Sequence, residues 1–357
     1  MKLQYSILLV AMVMGGVNMS KIVFAQTTPE ITPQQLEEAS EQEKIEQEIE
    51  KWRNVELVRT LKGHSSPVDS LAFSADSVNL FSGGSYNEPR VRLWRVENGR
   101  QTRDLITQRS AILSLATSPD GKILASSGDD GGINLWTLER GHFNQTFLEH
   151  STNILSLAIT PDSERLVSGG LDGIRVWDLQ KKRPLYTLVR FDHLTYALGV
   201  HPNNYLLASG DSEGQIKFWD LRTARPISGF LAHDKRVNSL AFTANGTILV
   251  TGSHDRTVKV WNLATGQQMH TLRGHPDEVR AVTVHPNGRI IASGSHDGIR
   301  IWDLQTGELL SQFQGHGDWV QSLAFSPDGS ILASGGFDKV IHLWQGKLEE
   351  EMEEEAL

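Results

Sequence analysis

Short stretches in which apolar and polar residues alternate recur from residue 55 to residue 345, and turn-forming residues separate them. The fifth copy is a clear example, because four such stretches follow one another within it. They are Val237–Phe242, Ile248–Thr251, Val258–Trp261 and Gln268–Leu272. Alternation with a period of two is typical of strands, and the Gly-, Asn- and Asp-containing segments between them favour tight turns. The pattern therefore predicts a unit of four short strands.

A tryptophan near the end of the third predicted strand marks each copy of this unit. The seven are Trp94, Trp136, Trp177, Trp219, Trp261, Trp302 and Trp344, and neighbouring ones are 41 or 42 residues apart. A fixed period of this length is typical of an array of one supersecondary unit, and four strands per unit are typical of a propeller blade. The sequence thus predicts an all-β fold, a seven-bladed β-propeller.

The two ends of the repeated region complement each other. The seventh copy has no fourth strand after Trp344, whereas Glu56–Leu61 precedes the first copy and matches the fourth strand that ends at Leu272. We therefore expect the N-terminal strand to complete the last blade. Such closure pairs the strand edges that an open array would expose.

Residues that flank the predicted strands resemble the signature of the WD-repeat (WD40) family over about residues 55–345. A Gly-His pair precedes the first strand in some copies, and a Trp-Asp pair ends the third strand in others. The pairs are Gly63-His64, Gly274-His275, Gly315-His316, Trp177-Asp178, Trp219-Asp220 and Trp302-Asp303. The resemblance implies a closed propeller whose top face grips peptides or other domains. That face is crossed by the turns between second and third strands and by the segments before first strands.

The resemblance also implies a hydrogen-bonded tetrad of His, Ser or Thr, Asp and Trp inside each blade. Each of its bonds contributes about 1 kcal/mol, and losing one partner leaves buried polar groups unpaired. Four sets are complete: His150, Ser168, Asp172 and Trp177; His233, Thr251, Asp255 and Trp261; His275, Ser293, Asp297 and Trp302; His316, Ser334, Asp338 and Trp344. Three blades depart from this pattern, through Glu88 for Asp in blade one, Gln108 for His in blade two, and Phe191, a displaced His193 and Glu213 in blade four. We expect blades one to four to contain the looser half of the ring.

The segments outside the repeats differ from them in composition. Residues 1–25 combine a basic start with an apolar run at Ile7–Val17 and small residues before Gln26, as in a cleaved signal peptide. The alternative is that Met19 is the true start and the product is cytoplasmic. Residues 26–54 form a charged helical or linker segment, and residues 346–357 form an acidic tail.

The predicted N-terminal helix covers Gln34–Arg53, with Thr32 and Pro33 as its cap and first position. Ile45, Ile49 and Trp52 fall on one narrow stripe of it. Two interpretations stay open, since this stripe either packs on the propeller or belongs to a solvated spacer.

Composition narrows the chemistry. The 357 residues include no cysteine, which excludes disulfides, thiolate metal sites and cysteine nucleophiles. A formal charge of −9 offers no attraction to nucleic acid or anionic lipid. The Ser, His and Asp sets recur with the blade period, which favours a structural role over a nucleophilic triad. His254 and His296 are interpreted as exposed turn residues rather than metal ligands. We assign no catalytic residue, cofactor or metal.

Large or charged residues on the expected top face are the candidates for partner binding. Trp319 precedes the first strand of blade seven, where Arg236 and Glu278 stand in blades five and six. Phe337 lies in the same blade, and Tyr86 lies in the longer turn of neighbouring blade one. Aromatic residues and Arg are typical anchors of interfaces. The alternative is that Trp319 packs over its own blade.

These features favour a non-catalytic protein–protein interaction scaffold. We expect a monomeric propeller within a complex, exported to the periplasm or to a thylakoid lumen of a bacterium, without a stable membrane span after cleavage. One alternative is an enzyme or small-ligand binder that uses the central channel. Converging carboxylates with a bound metal would favour that alternative, and a channel of small apolar residues would disfavour it. The other alternative is the cytoplasmic scaffold that begins at Met19.

Overall fold

Antiparallel strands account for nearly all of the regular structure. The computed structural model describes residues 32–85, 88–106, 111–139, 142–189 and 194–348, which form one helix and 28 strands in seven four-stranded sheets. Tyr86, Gln108, Phe191, His193, the expected signal segment and residues 349–357 of the acidic tail lie outside the described residues. The predicted seven-bladed propeller is confirmed.

Six blades are each built from one continuous stretch of chain. Blade one contains β2 (Val68–Phe73), β3 (Asn79–Gly84), β4 (Val91–Arg95) and β5 (Gln101–Leu105); blade two contains β6 (Ile112–Thr117), β7 (Ile123–Gly128), β8 (Gly132–Thr137) and β9 (His142–Leu148); blade three contains β10 (Ile154–Ile159), β11 (Arg165–Gly170), β12 (Gly173–Asp178) and β13 (Arg183–Val189). Blade four contains β14 (Thr195–Val200), β15 (Leu206–Asp211), β16 (Gln215–Asp220) and β17 (Arg225–Leu231); blade five contains β18 (Val237–Phe242), β19 (Ile248–Ser253), β20 (Val258–Asn262) and β21 (Gln267–Leu272); blade six contains β22 (Ala281–Val284), β23 (Ile290–Ser295), β24 (Gly298–Asp303) and β25 (Leu309–Phe313).

Blade seven joins the two ends of the ring. It contains β26 (Val320–Phe325), β27 (Leu332–Gly336) and β28 (Val340–Gly346), and β1 (Val55–Lys62) is its outermost strand. β1 pairs antiparallel with β28, with Leu57 opposite Trp344 and Thr60 opposite His342. The expected closure by the N-terminal strand is therefore confirmed.

The apolar core lies between neighbouring blades. In one representative cluster, Ile133 and Phe147 of blade two pack with Leu166 and the fully buried Trp177 of blade three. Equivalent clusters fill the other junctions, so each third-strand tryptophan closes one junction. Burial of such large side chains is the main stabilising contribution to a ring of this kind, at about 25 cal/mol for each Å² of apolar surface removed from water.

The N-terminal helix, α1, spans Pro33–Lys51, and Pro33 occupies its first position as expected. Ile45, Ile49 and Trp52 pack into the cluster between blades six and seven, where Trp52 is 1% exposed and meets Phe325 edge-on at 5.1 Å between ring centroids. From residue 44 onward the packing interpretation is therefore right and the solvated spacer is wrong. Among the described residues, no helix has the length and apolar character needed to cross a membrane.

The turns between first and second strands define the bottom face and link the blades there. The third turn residue has a positive φ in all seven blades, and it is glycine in four of them. The other three are Ser77, Ser163 and Asn204, and each side chain accepts a backbone N–H from the turn of a neighbouring blade. These hydrogen bonds offset the strain of a left-handed conformation in a residue with a side chain.

Candidate functional site

Each complete tetrad forms a buried chain of hydrogen bonds. In blade three, His150 Nδ1 lies 2.5 Å from Asp172 Oδ1, and His150 Nε2 lies 2.7 Å from Ser168 Oγ. The indole N–H of Trp177 donates to the same Ser168 oxygen at 2.8 Å. Burial alone raises the pKa of Asp172, but hydrogen bonds from His150 and the Ser151 backbone, together with the Arg175 charge, outweigh this, so the pKa lies below its usual value. The serine is thus held between two partners.

The same connections occur in blades five, six and seven. The histidines of these blades are His233, His275 and His316. Their distances to the hydroxyls of Thr251, Ser293 and Ser334 are 2.7–2.8 Å. Their distances to the carboxylates of Asp255, Asp297 and Asp338 are 2.7–2.9 Å. Trp261, Trp302 and Trp344 donate to the same hydroxyls at 2.8–3.0 Å. The four hydroxyl residues are fully buried. No substrate can reach an oxygen in this position, so the arrangement serves packing.

The carboxylates of blades one and four, both of which depart from the tetrad pattern, have different outcomes. In blade one, the longer Glu88 side chain reaches inward, is 2% exposed and lies 3.0 Å from His64 Nδ1. In blade four, Glu213 is exposed, and the buried carboxylate is Asp211, which accepts two backbone N–H groups from its own turn. The interpretation of Glu213 as a substitute for the tetrad Asp is therefore wrong, because a two-residue shift in the turn brings Asp211 inward instead.

The residue two positions before the third-strand tryptophan distinguishes blade seven from the other blades. In chain order, the residues at this position are Arg92, Asn134, Arg175, Lys217, Lys259, Arg300 and His342. Four of the cations approach the carboxylate of their own blade, at 2.5–3.9 Å. His342 instead places its ring 4.5 Å from that of His316, and burial together with the His316 charge lowers the pKa of His342 to about 4. The closing blade therefore lacks the permanent cation that four other blades place beside the buried acid.

The top face carries a continuous line of side chains over blades four to seven, which we name the top-face cluster. Its members, in chain order, are Tyr196, Arg236, His254, Glu278, Arg280, His296, Trp319 and Phe337. Arg280 lies at its centre, with its guanidinium 4.3 Å from the ring centroid of Trp319 and 5.4 Å from that of Phe337. His296 flanks the other side of Trp319 at 5.1 Å. Trp319 and Phe337 are both partly exposed, so this stack presents an aromatic surface to solvent.

The other predicted top-face residues meet in the same cluster. Glu278 pairs with His254, and Arg236 lies 3.4 Å from the second ring nitrogen of that histidine. Arg236 also stacks over Tyr196 at 4.5 Å. The side chain of Arg280 donates to Gln321 at 2.9 Å, while its Nε has no hydrogen-bond partner among the described residues. The structure thus joins four of the five predicted partner-binding residues through two that the sequence analysis did not select, His254 and Arg280.

The central channel opens beside this cluster. Asp69, Tyr196, Asn238, Arg280 and Gln321 line part of a cavity of about 150 Å³ at its mouth. Burial raises the pKa of Asp69 to about 7 although a hydrogen bond from Ser85 lowers it. The channel is therefore neither a ring of converging carboxylates nor a lining of small apolar residues.

A belt of serines below the mouth ties neighbouring first strands together. Ser70, Ser114, Ser156, Ser239 and Ser322 each accept a backbone N–H from the next blade, at 2.9–3.1 Å. Ala197 and Ala281 occupy the equivalent positions in blades four and six. The channel hydroxyls thus serve contacts between blades.

Comparison with known proteins agrees with this architecture. Residues 13–348 match the family described as "Nucleolar protein 10-like, N-terminal domain". The chain belongs to this family of WD-repeat propellers. It is also similar to the "Periodic tryptophan protein 2 homolog" of Schizosaccharomyces pombe, with 37% identity over 76 residues, which are 21% of this chain and 9% of that protein. "Coronin-7" of Mus musculus is 37% identical over 71 residues, 20% of this chain and 8% of that protein. The chain thus matches less than a tenth of the length of these curated relatives.

The WD-repeat pattern explains which site residues the sequence reveals. The sequence alone singles out Trp319, because the equivalent positions in blades five and six hold charged residues. Arg280 lies immediately before β22, where its reach over the face of Trp319 depends on the angle between blades. The ring and cation contacts of Trp319 come from blade six, through His296 and Arg280, and its role in partner binding remains a prediction. Tyr86 remains a prediction.

Proposed function

We propose that this WD-repeat propeller is a non-catalytic scaffold that binds other proteins or peptides through its top-face cluster. WD-repeat propellers generally bind other proteins. The observation that carries the proposal is the partly exposed Trp319, stacked with Arg280 beside Phe337. A large aromatic side chain held in place by a stacked cation can be buried by a partner at little entropic cost, as at interface hot spots.

A catalytic role has less support from the described residues. The Ser, His and Asp sets are enclosed in blades, and the serines are fully buried. His254 and His296 contact Glu278 and Trp319 respectively, so each has a partner within the cluster. The channel alternative rests on the small cavity beside Asp69 and Arg280. Binding of a small molecule that survives in the Trp319→Ala variant but is lost in Arg280→Ala would favour the channel.

The decisive experiment is affinity capture with matched variants. Trp319→Ala should abolish capture of specific partners while leaving the unfolding midpoint unchanged. Tyr205→Ala is the matched control, because Tyr205 is also an exposed aromatic stacked with an arginine, Arg222 at 4.5 Å, but it lies in a bottom-face turn. Equal capture by the Trp319 variant and the wild type would contradict the proposal, as would partial unfolding of that variant.

We also propose export to the periplasm or lumen, with cleavage before Gln26. The support is the pattern of residues 1–25, which lie outside the described structure. Sequencing the N-terminus of the mature protein tests this. A mature chain that begins at Gln26 is the expected result, and one that begins at Met19 would establish the cytoplasmic alternative.

A further inference from the structure

Three potential metal ligands converge inside the closing blade. One ligand atom each from His316, Asp338 and His342 lies within 4.8 Å of the others, and no other trio of His, Cys, Asp or Glu among the described residues meets this condition. Both histidines are buried, while the Asp338 side chain keeps 20% exposure toward solvent. The donors are thus enclosed but reachable by an ion from the top face. Two imidazoles and a carboxylate are a common donor set for Zn²⁺ and related ions.

In two other blades, an arginine lies beside the tetrad carboxylate at the position that His342 occupies in blade seven. Arg175 and Arg300 place a guanidinium 3.1 and 2.5 Å from Asp172 and Asp297, respectively. Removing a carboxylate from water is costly, and a cation beside it offsets part of that cost. His342 occupies the same register position but carries no permanent charge. It differs from arginine in that a neutral imidazole can bind a metal ion.

We propose that His316, Asp338 and His342 form a binding site for a divalent transition metal of the Zn²⁺ class. The ion would supply the positive charge that an arginine or lysine supplies in four other blades. The Gly315 carbonyl, 2.9 Å from His342 Nε2, is a further oxygen at the same place. The site lies at the junction of the two chain ends, so occupancy would stabilise ring closure.

Proton balance is compatible with this coordination. His316 Nδ1 now faces Asp338 at 2.9 Å. If the ion binds at Nδ1, the neutral ring carries its proton on Nε2 instead and donates it to the Ser334 hydroxyl, 2.7 Å away. His342 has hydrogen bonds on both ring nitrogens, to Thr60 Oγ1 at 2.9 Å and to the Gly315 carbonyl at 2.9 Å. Whichever nitrogen binds the ion, the other keeps a hydrogen bond that orients the ring. Metal-bound histidines in proteins are usually held by such a second partner. If Nδ1 is the one that keeps it, that partner is Thr60 on β1.

The test is titration of the metal-free full-length protein with zinc chloride, followed by calorimetry and thermal unfolding. We expect one equivalent to bind and the unfolding midpoint to rise by roughly 5 °C at a free zinc concentration about 100 times the dissociation constant. His342→Arg restores the residue type of blades one, three and six, so it should fold and lose this response. His270→Arg is the matched control, because His270 lies on the outer strand of blade five and bonds the Gln305 carbonyl. It should keep the response.

A measurement on the wild type makes the proposal independent of how variants fold. Cobalt(II) bound by two imidazoles and a carboxylate in a four- or five-coordinate site should give visible absorption bands that zinc displaces. Absence of these bands, together with a zinc-independent unfolding midpoint, would overturn the proposal. Equal zinc responses in the wild type and in folded His342→Arg would overturn it as well, since the ion would then bind elsewhere.

Discussion

Blades six and seven carry the same His, Ser, Asp and Trp network but complete it in different ways. All four strands of blade six come from residues 281–313, and Arg300 lies 2.5 Å from its acid, Asp297. Blade seven takes its outer strand from residues 55–62, and its acid, Asp338, faces His342 instead of a permanent cation. The contacts of His342 include Thr60 on that outer strand.

The two blades differ in whether they are stabilised by contacts close in sequence or by long-range contacts. Blade six forms from contacts that are close in sequence, whereas blade seven requires a contact that joins residues nearly 300 positions apart in the chain. Such contacts carry the largest loop-closure cost, so they form late and break first unless they are reinforced. In this protein the reinforcement includes the end of α1, because Ile49 and Trp52, the residue that follows the helix, are buried between blades six and seven.

Removal of the closing strand should have the largest effect on the ring. Deletion of residues 1–62 takes away α1 and β1, exposes the edge of β28 and uncovers Phe325 and Trp344. We expect loss of cooperative unfolding and a strong tendency to aggregate, measured by thermal melts and light scattering. Deletion of residues 1–31 alone is the control and should leave the melt unchanged. A cooperative melt at the wild-type temperature in the longer deletion would show that closure does not depend on β1.

Removing one tetrad hydroxyl should have the next largest effect. Ser293→Ala in blade six leaves both His275 Nε2 and the Trp302 N–H without their partner, and Ser334→Ala does the same in blade seven. Each should lower the free energy of unfolding by roughly 3 kcal/mol, because two buried polar groups are left unpaired. Denaturant titration measures this, with the exposed Ser228→Ala as control. A loss below about 0.5 kcal/mol would contradict a stabilising role for the tetrad.

Arg300→His gives blade six the residue type that blade seven has at the same position. Without metal, Asp297 loses its guanidinium partner, and we expect a decrease of roughly 2 kcal/mol in the free energy of unfolding. With zinc, part of that loss should be recovered, since blade six would then contain two histidines and a carboxylate. The same denaturant titrations with and without zinc chloride measure both effects. A variant as stable as the wild type without zinc would show that the Asp297 charge needs no compensation.

Much of this fold could be predicted from the sequence, because the signals are local and repeated seven times. The tryptophan period, the turns and the match between Glu56–Leu61 and the strand ending at Leu272 determine blade number and closure. The candidate sites were only partly predictable. Arg280 reaches Trp319, and His342 reaches His316, across distances that depend on how strands pack. Glu213 shows the converse, since a shifted turn moves the aligned residue to the surface.

The smallest expected effect concerns pH and again distinguishes individual blades. Burial lowers the pKa of His275 in blade six, and Asp297 only partly opposes this. The unfolded chain has a histidine pKa of about 6.5, so it takes up a proton that the folded blade resists. The contribution of His275 is therefore fully present above about pH 6.5 and is lost as the pH falls toward its folded value. His275→Gln, which copies the residue type at Gln108, should reduce the slope of unfolding free energy against pH between pH 7 and 5. An unchanged slope in denaturant titrations across this range would mean that His275 takes up its proton equally in the folded and unfolded states. The acid sensitivity of the ring would then have to come from a tetrad carboxylate such as Asp172, whose pKa lies below its usual value.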